Sequence, residues 1–165
     1  MNKAVMLSIR PKWVEKIASG EKTIEVRKTR PKLDTPFMCY IYCTLPKYPH
    51  EDFISTDYPR PQFYGGGKVI GEFTCDRIDR LTPANEPYGI YDIDDDYVLQ
   101  ACLENGALWD YGHGTPLYGW HISDLLIYDQ PKGLDEFTRL RETKFGLEPV
   151  TIKHAPQSWC YVEEG

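Results

Sequence analysis

The sequence predicts an α+β, β-dominant domain of about five or six strands with two or three short helices, a count that fits a small open or closed β-barrel. Three observations predict it. Twelve Tyr, six Phe and four Trp supply side chains that suit pleated, half-buried surfaces. Thirteen Gly and thirteen Pro punctuate the chain with turns without reaching a disordered composition. Short apolar segments recur between these breakers, and few stretches carry a helical period. At 165 residues the chain is expected to be one domain, 1–165, burying about 70% of its unfolded surface.

Residues 4–9 are apolar enough for a first strand. Residues 10–19 follow as a short helix. Pro11 suits its first turn, where a missing N–H is no loss, and Gly20 suits the left-handed residue that ends it. Trp13 and Ile17, like Val14 and Ala18, recur four apart and give one core-facing stripe. After Gly20 the period changes to two. Ile24 and Val26 then point one way, and Thr23, Glu25 and Arg27 the other. Lys22, in the turn that opens this strand, is free to lean toward either face. Spacing alone favours an exposed strand carrying a weak ion pair, worth ~0–1 kcal/mol, and it is the local charge that weighs against that reading.

Residues 37–44 form the plainest strand, aromatic and uncharged. An irregular insertion loop of about residues 45–67 follows, with four prolines, scattered aromatics and the triplet Gly65-Gly66-Gly67; loops this long are commonly functional or disordered. The triplet is no phosphate loop, since Lys68 opens a strand and not a helix. The strand from 68 to 76 continues to about 81, and Gly71 within it marks a bulge or a close backbone approach. The acidic run 92–96 lacks the spacing, glycine and closing glutamate of a calcium loop, and instead opens a helix that Gly106 is expected to end. Residues 117–129 give a second strong strand. Its His121, Ser123 and Asp124 lie too close together to converge as a nucleophilic triad, so His121 is read as structural. A short packed helix is expected at 131–137 and a closing strand at 158–163.

Charge is distributed unevenly. Residues 1–32 carry nine basic and three acidic side chains, a net +6, which leaves −12 for the remainder of a chain totalling −6. Such a field asymmetry either attracts an anion or pairs with the acidic body of its own fold; both readings stay open. Extended duplex binding is disfavoured by the overall charge. Five cysteines, an odd number in mostly apolar stretches, indicate buried thiols and not a disulfide frame. Cys39 and Cys43 share a face, but no second Cys/His pair follows at zinc-site spacing, so no metal is expected. No apolar run approaches the ~18 residues of a membrane span, and Arg10 falls too early for a secretory signal, so a cytoplasmic chain is expected.

The run Leu7-Ser8-Ile9-Arg10-Pro11, followed by Gly20-Glu21-Lys22-Thr23-Ile24-Glu25-Val26-Arg27, resembles the opening of the ASCH domains, relatives of the PUA superfamily. Gly20, Lys22, Glu25 and Arg27 match the family's signature in order and spacing. Residues 69–73, 118–122 and 156–162 look like later strands of the same domain. The resemblance implies a PUA-like barrel, a ligand cleft between barrel and helix lined by Lys22, Glu25 and Arg27, and RNA as the ligand class.

The chemistry suits single-stranded RNA or a nucleoside or nucleotide. Lys22 and Arg27 can meet phosphate, and Glu25 can accept from the exocyclic amine of a base. Trp13, Tyr40, Tyr42 or Trp159 can stack a base, worth ~1–3 kcal/mol. Arg10 and Thr23 complete the candidate ligand-binding set, and no cofactor is expected. A second reading is a hydrolase. Some small ASCH-like proteins are amidohydrolases on acylated cytidine and some are ribonucleases. The amidohydrolase type has its threonine nucleophile where this chain has Glu25, so catalysis here would fall to Lys22 and Glu25, with Glu25 as a general base for water and Lys22 steadying the oxyanion. A third reading is a domain whose charged strand pairs with a protein partner.

Overall fold

The structure is a computed structural model that describes residues 2–45, 53–54, 63–64 and 66–165. The described residues form ten strands: β1 (Lys3–Ile9), β2 (Ile24–Arg27), β3 (Phe37–Cys43), β4 (Phe53–Ile54), β5 (Phe63–Tyr64), β6 (Lys68–Leu81), β7 (Leu117–Lys132), β8 (Thr138–Thr143), β9 (Gly146–Thr151) and β10 (Trp159–Glu163). Helices α1 (Pro11–Ala18), α2 (Asp95–Ala101) and α3 (Asn105–Gly112) join them. None of these helices is long and apolar enough to cross a membrane.

Eight strands make one sheet in the order β2-β7-β6-β3-β1-β10-β8-β9. The β-dominant α+β class holds, whereas the expected barrel of five or six strands does not: there are more strands, and among the described residues no ladder joins the end strands β2 and β9. Among the described strands only β1 and β3 run parallel, Val5 opposite Cys39 through Ile9 opposite Cys43, and α1 lies in the connection between them. A parallel pair needs such a crossover, because a tight turn can only reverse the chain.

Both faces of β1 are buried, which explains its lack of polar alternation. Val5, Leu7 and Ile9 pack with Ile41, Phe73 and Trp120 beneath Val14 and Ile17 of α1. Ala4 and Met6 pack on the other face with Tyr40, Tyr42 and Val162. A third cluster joins Ile24 and Val26 of β2 to Leu81, Leu117 and the helix residues Ala101 and Leu108. None of the five cysteines forms a disulfide, and Cys39, Cys43, Cys75 and Cys160 are buried.

Gly71 is a close approach, as expected. A Cβ there would stand 2.5 Å from the Leu126 carbonyl oxygen, at a register shift between β6 and β7. Two expected helices differ. The single helix predicted to end at Gly106 is two: α2 opens at Asp94, whose Oδ1 accepts from Tyr97 N at 2.8 Å, and stops at Cys102, whose φ of 55° is left-handed. Gly106 then sits in the first turn of α3. The helix expected at 131–137 is the end of β7 and one 3₁₀ turn, Leu134–Glu136. The hairpin β8–β9 is an addition. Most of the loop expected at 45–67, with Tyr48, Tyr58 and Gly65, lies outside the described residues; β4 and β5 within it pair antiparallel.

Candidate functional site

The turn after α1 is fixed to the helix it leaves. Gly20, at φ +85°, donates its N–H to Ile17 O at 3.1 Å, and Lys22 N donates to Lys16 O at 3.0 Å. These bonds satisfy carbonyls that the helix end leaves open. They also set Lys22 at the base of a cleft bounded by α1, β2 and α3.

Lys22 is only 1% exposed. Its ammonium donates to the Ala101 carbonyl at the end of α2, lies 3.8 Å from Glu25 Oε1, and stands 5.1 Å from the centre of the Trp13 ring. Burial lowers its pKa below the ordinary lysine value, and the Glu25 carboxylate opposes that shift. Glu25 is 6% exposed, so the alternative of a solvated strand face with a loose ion pair is set aside. Its other oxygen, Oε2, is 3.4 Å from Arg27 Nη2. Neither contact is short, so both carboxylate oxygens retain lone pairs for a further donor.

Arg27 has another task besides facing the cleft. Its Nη2 donates to Ser8 O at 2.7 Å, and its Nη1 donates to the carbonyl and the hydroxyl of Ser158 at 3.2 Å each. The guanidinium therefore ties the end strand β2 to β1 and to the segment before β10, across the gap that the ladder leaves open. Much of its donor capacity is used within the protein. Arg10, exposed at the start of α1, retains its donors at the cleft mouth.

The cleft has a volume of about 600 Å³. Of the residues singled out from sequence, Arg10, Trp13, Lys22, Glu25 and Arg27 line it. Thr23, Tyr42 and Trp159 do not. Thr23 precedes β2 and escapes its alternation; its Oγ1 faces Gln100 Oε1 at 3.5 Å. Tyr40 and Tyr42 lie in the cluster on the far face of the sheet. Trp159 packs edge-on to Trp120 and Tyr161 and donates its Nε1–H to Thr29 Oγ1 at 2.9 Å. Sequence reasoning passed over Ser8, Tyr111 and Gln157, which complete the walls. Ser8 Oγ donates to Pro156 O at 2.6 Å, and burial pushes the Tyr111 phenol above its ordinary range. The local signal for Ser8 was present, since it falls inside the motif; Tyr111 and Gln157 arrive from distant elements.

His121 belongs to a separate network. Its Nε2 is 2.5 Å from Asp79 Oδ2, which also accepts from the Tyr97 hydroxyl at 3.0 Å, while Arg77 Nε donates to Asp79 Oδ1 at 2.7 Å. These contacts join α2 to β6 and β7, a structural use of the histidine.

Residues 7–73 match the family model of the ASCH domain. That stretch is similar to an ASCH domain. Among solved structures it resembles an ASCH protein of Zymomonas mobilis at 22% identity and a TM-score of 0.60, over 98% of this chain and 88% of that one. Two point mutants of that protein align similarly, one at 20% identity, a TM-score of 0.57 and coverages of 98% and 89%, the other at 18%, 0.54, 99% and 92%. At these identities the likeness shows the fold. No curated protein matches the sequence.

Proposed function

We propose that this protein binds single-stranded RNA or a free nucleotide, holding one base in the cleft beside Glu25. One observation carries the reading: a carboxylate 6% exposed, facing a cavity of about 600 Å³, whose two oxygens are engaged only at 3.8 and 3.4 Å. A buried acceptor of this kind is satisfied by a base bearing an exocyclic amine, and discriminates against one lacking it by about 1–3 kcal/mol. Trp13 and Tyr111 offer aromatic walls for the base, and Arg10 meets the phosphate at the mouth. Lys22 and Arg27 neutralise the carboxylate and aim it. ASCH domains are relatives of RNA-binding PUA domains, which agrees with the reading.

Calorimetric titration with cytidine, adenosine, guanosine and uridine monophosphates tests it. Amine-bearing bases are expected to bind about 10- to 100-fold more tightly than uridine monophosphate, and Glu25→Gln to erase most of that preference. Equal binding of all four, unchanged in Glu25→Gln, overturns the reading.

A second reading, hydrolysis of an acylated nucleoside, is favoured by the lowered pKa of Lys22 next to a buried carboxylate, a pairing suited to proton transfer. Glu25 takes a proton from the water that attacks the acyl carbon, Lys22 steadies the developing oxyanion, and Glu25 returns the proton to the exocyclic nitrogen as the C–N bond breaks, giving the carboxylic acid and the free amine. A threonine nucleophile is not part of it, because Thr23 faces Gln100. Incubation with N4-acetylcytidine checks this: turnover is expected to vanish in Glu25→Gln and to survive in Thr23→Ala.

A further inference from the structure

A second cavity, of about 920 Å³, lies beyond the cleft. Arg139 and Arg141 of β8, together with Lys153 and His154 after β9, line it, and among the described residues no carboxylate does. That composition stands out in a chain of net charge −6. Arg139 and Arg141 are both exposed and share one side of the strand, with buried Leu140 between them on the other. The hairpin's nearby carboxylates are already engaged: Glu148 with Arg141 Nη2 at 2.8 Å, and Glu142 with Lys3 Nζ at 3.2 Å. Among the described residues no carboxylate pairs with Arg139 or Lys153.

This cavity is joined to the cleft by one wall. Gln157 lines both. The segment carrying it is pinned from the cleft side, where Pro156 O accepts from Ser8 Oγ at 2.6 Å and Ser158 O accepts from Ser8 N at 2.9 Å and from Arg27 Nη1 at 3.2 Å. Its other side, with half-buried Trp159, faces the basic cavity.

We infer that the basic groove of β8, β9 and the 153–159 segment carries the sugar-phosphate backbone of a single-stranded RNA whose neighbouring base occupies the cleft. The inference rests on the cleft reading above and extends it: the ligand is an oligonucleotide, not a free nucleoside. Arg139, Arg141 and Lys153 meet phosphates, and Trp159 offers an edge of its ring to a flanking base. A backbone track beside an aromatic surface is the usual construction of single-strand binders.

The test compares a fluorescein-labelled hexaribonucleotide, followed by anisotropy, with unlabelled cytidine monophosphate, followed by calorimetry. Wild-type protein is expected to bind the hexamer more tightly than the mononucleotide. In the double variant Arg139→Ala/Lys153→Ala, loss of two phosphate contacts should flatten the slope of log K against log salt by about 1.4 and weaken the hexamer about 25-fold at 0.1 M salt. Mononucleotide binding should stay within about twofold, since both side chains are outside the cleft. Both are also exposed, so an unchanged melting temperature verifies that the variant folds. A hexamer that binds no better than the mononucleotide, or that ignores the double variant in affinity and slope, overturns the groove. Loss of the base preference in the wild-type protein, with the hexamer still sensitive to Arg139 and Lys153, overturns the cleft reading alone and leaves the groove as an RNA site.

Discussion

Replacing Glu25 by glutamine removes one charge and almost no volume, so its effect isolates the electrostatics of the cleft. The carboxylate lies 3.8 Å from one cation and 3.4 Å from another. At an effective dielectric constant of about 20, each pair is worth roughly 4–5 kcal/mol before desolvation is subtracted. Removing one member of a buried pair typically costs about 3–5 kcal/mol, because the partner charge is left uncompensated. Two features place the loss near the lower end. Arg27 keeps its bonds to Ser8 and Ser158, and Lys22, whose pKa burial already lowers, can shed its proton. The expected cost is therefore about 3 kcal/mol at neutral pH. With a urea m-value of about 2 kcal/mol/M, the unfolding midpoint should fall by roughly 1.5 M. The double variant Lys22→Met/Glu25→Gln should recover about 1–2 kcal/mol of that loss, since the stranded ammonium is gone. Urea titration followed by circular dichroism reads both numbers. A Glu25→Gln midpoint within about 0.2 M of wild type would refute the reasoning, because it would mean that the carboxylate is solvated.

Gly71→Ala should cost well over 1 kcal/mol in the same assay, since its Cβ would meet the Leu126 carbonyl oxygen at 2.5 Å and force β6 from β7. Alkali should destabilise the fold. Burial raises the Cys39 and Cys75 thiols, Cys75 to about 12, so from about pH 9 upward the unfolded chain releases protons that the folded one keeps. Each such thiol steepens the loss by about 1.4 kcal/mol per pH unit, and Cys75→Ala should flatten it; Lys22, with its lowered folded pKa, works in the opposite sense up to its ordinary 10.5. Acid should release the contribution of Asp79. Burial works to raise its pKa, but hydrogen bonds from Arg77, His121 and Tyr97 outweigh that and hold it below 3.8. Its contribution is thus present above about pH 4 and lost as pH falls further, a dependence that Asp79→Asn should remove from an acid unfolding curve.

Much of this fold was legible because local rules and tertiary packing agree. Pro11 and Gly20 bracket α1, and the uncharged run from Phe37 announces β3, both of whose faces are largely buried. The β8–β9 hairpin escaped for the opposite reason. Leu140 is its only fully buried residue, Pro149 interrupts the strand pattern, and Lys144-Phe145 is no familiar turn pair. The break between α2 and α3 was hidden because Cys102, not a glycine, adopts the left-handed conformation. Openness of the sheet was unreadable, since whether end strands pair depends on partners far apart in sequence. At the site, the spacing of Lys22, Glu25 and Arg27 sufficed to bring them together. Thr23 was misassigned to the same face because β2 begins one residue later, at Ile24. Arg27 was read as a phosphate ligand, yet its bonds to Ser8 and Ser158 come from elements that no local pattern connects to it.

A crystal structure with cytidine monophosphate tests the central claim most directly. The base is expected inside the cleft against Trp13, its exocyclic amine within hydrogen-bond distance of Glu25, and its phosphate directed toward Arg10. A nucleotide bound elsewhere on the surface, with ordered water alone beside Glu25, would contradict it.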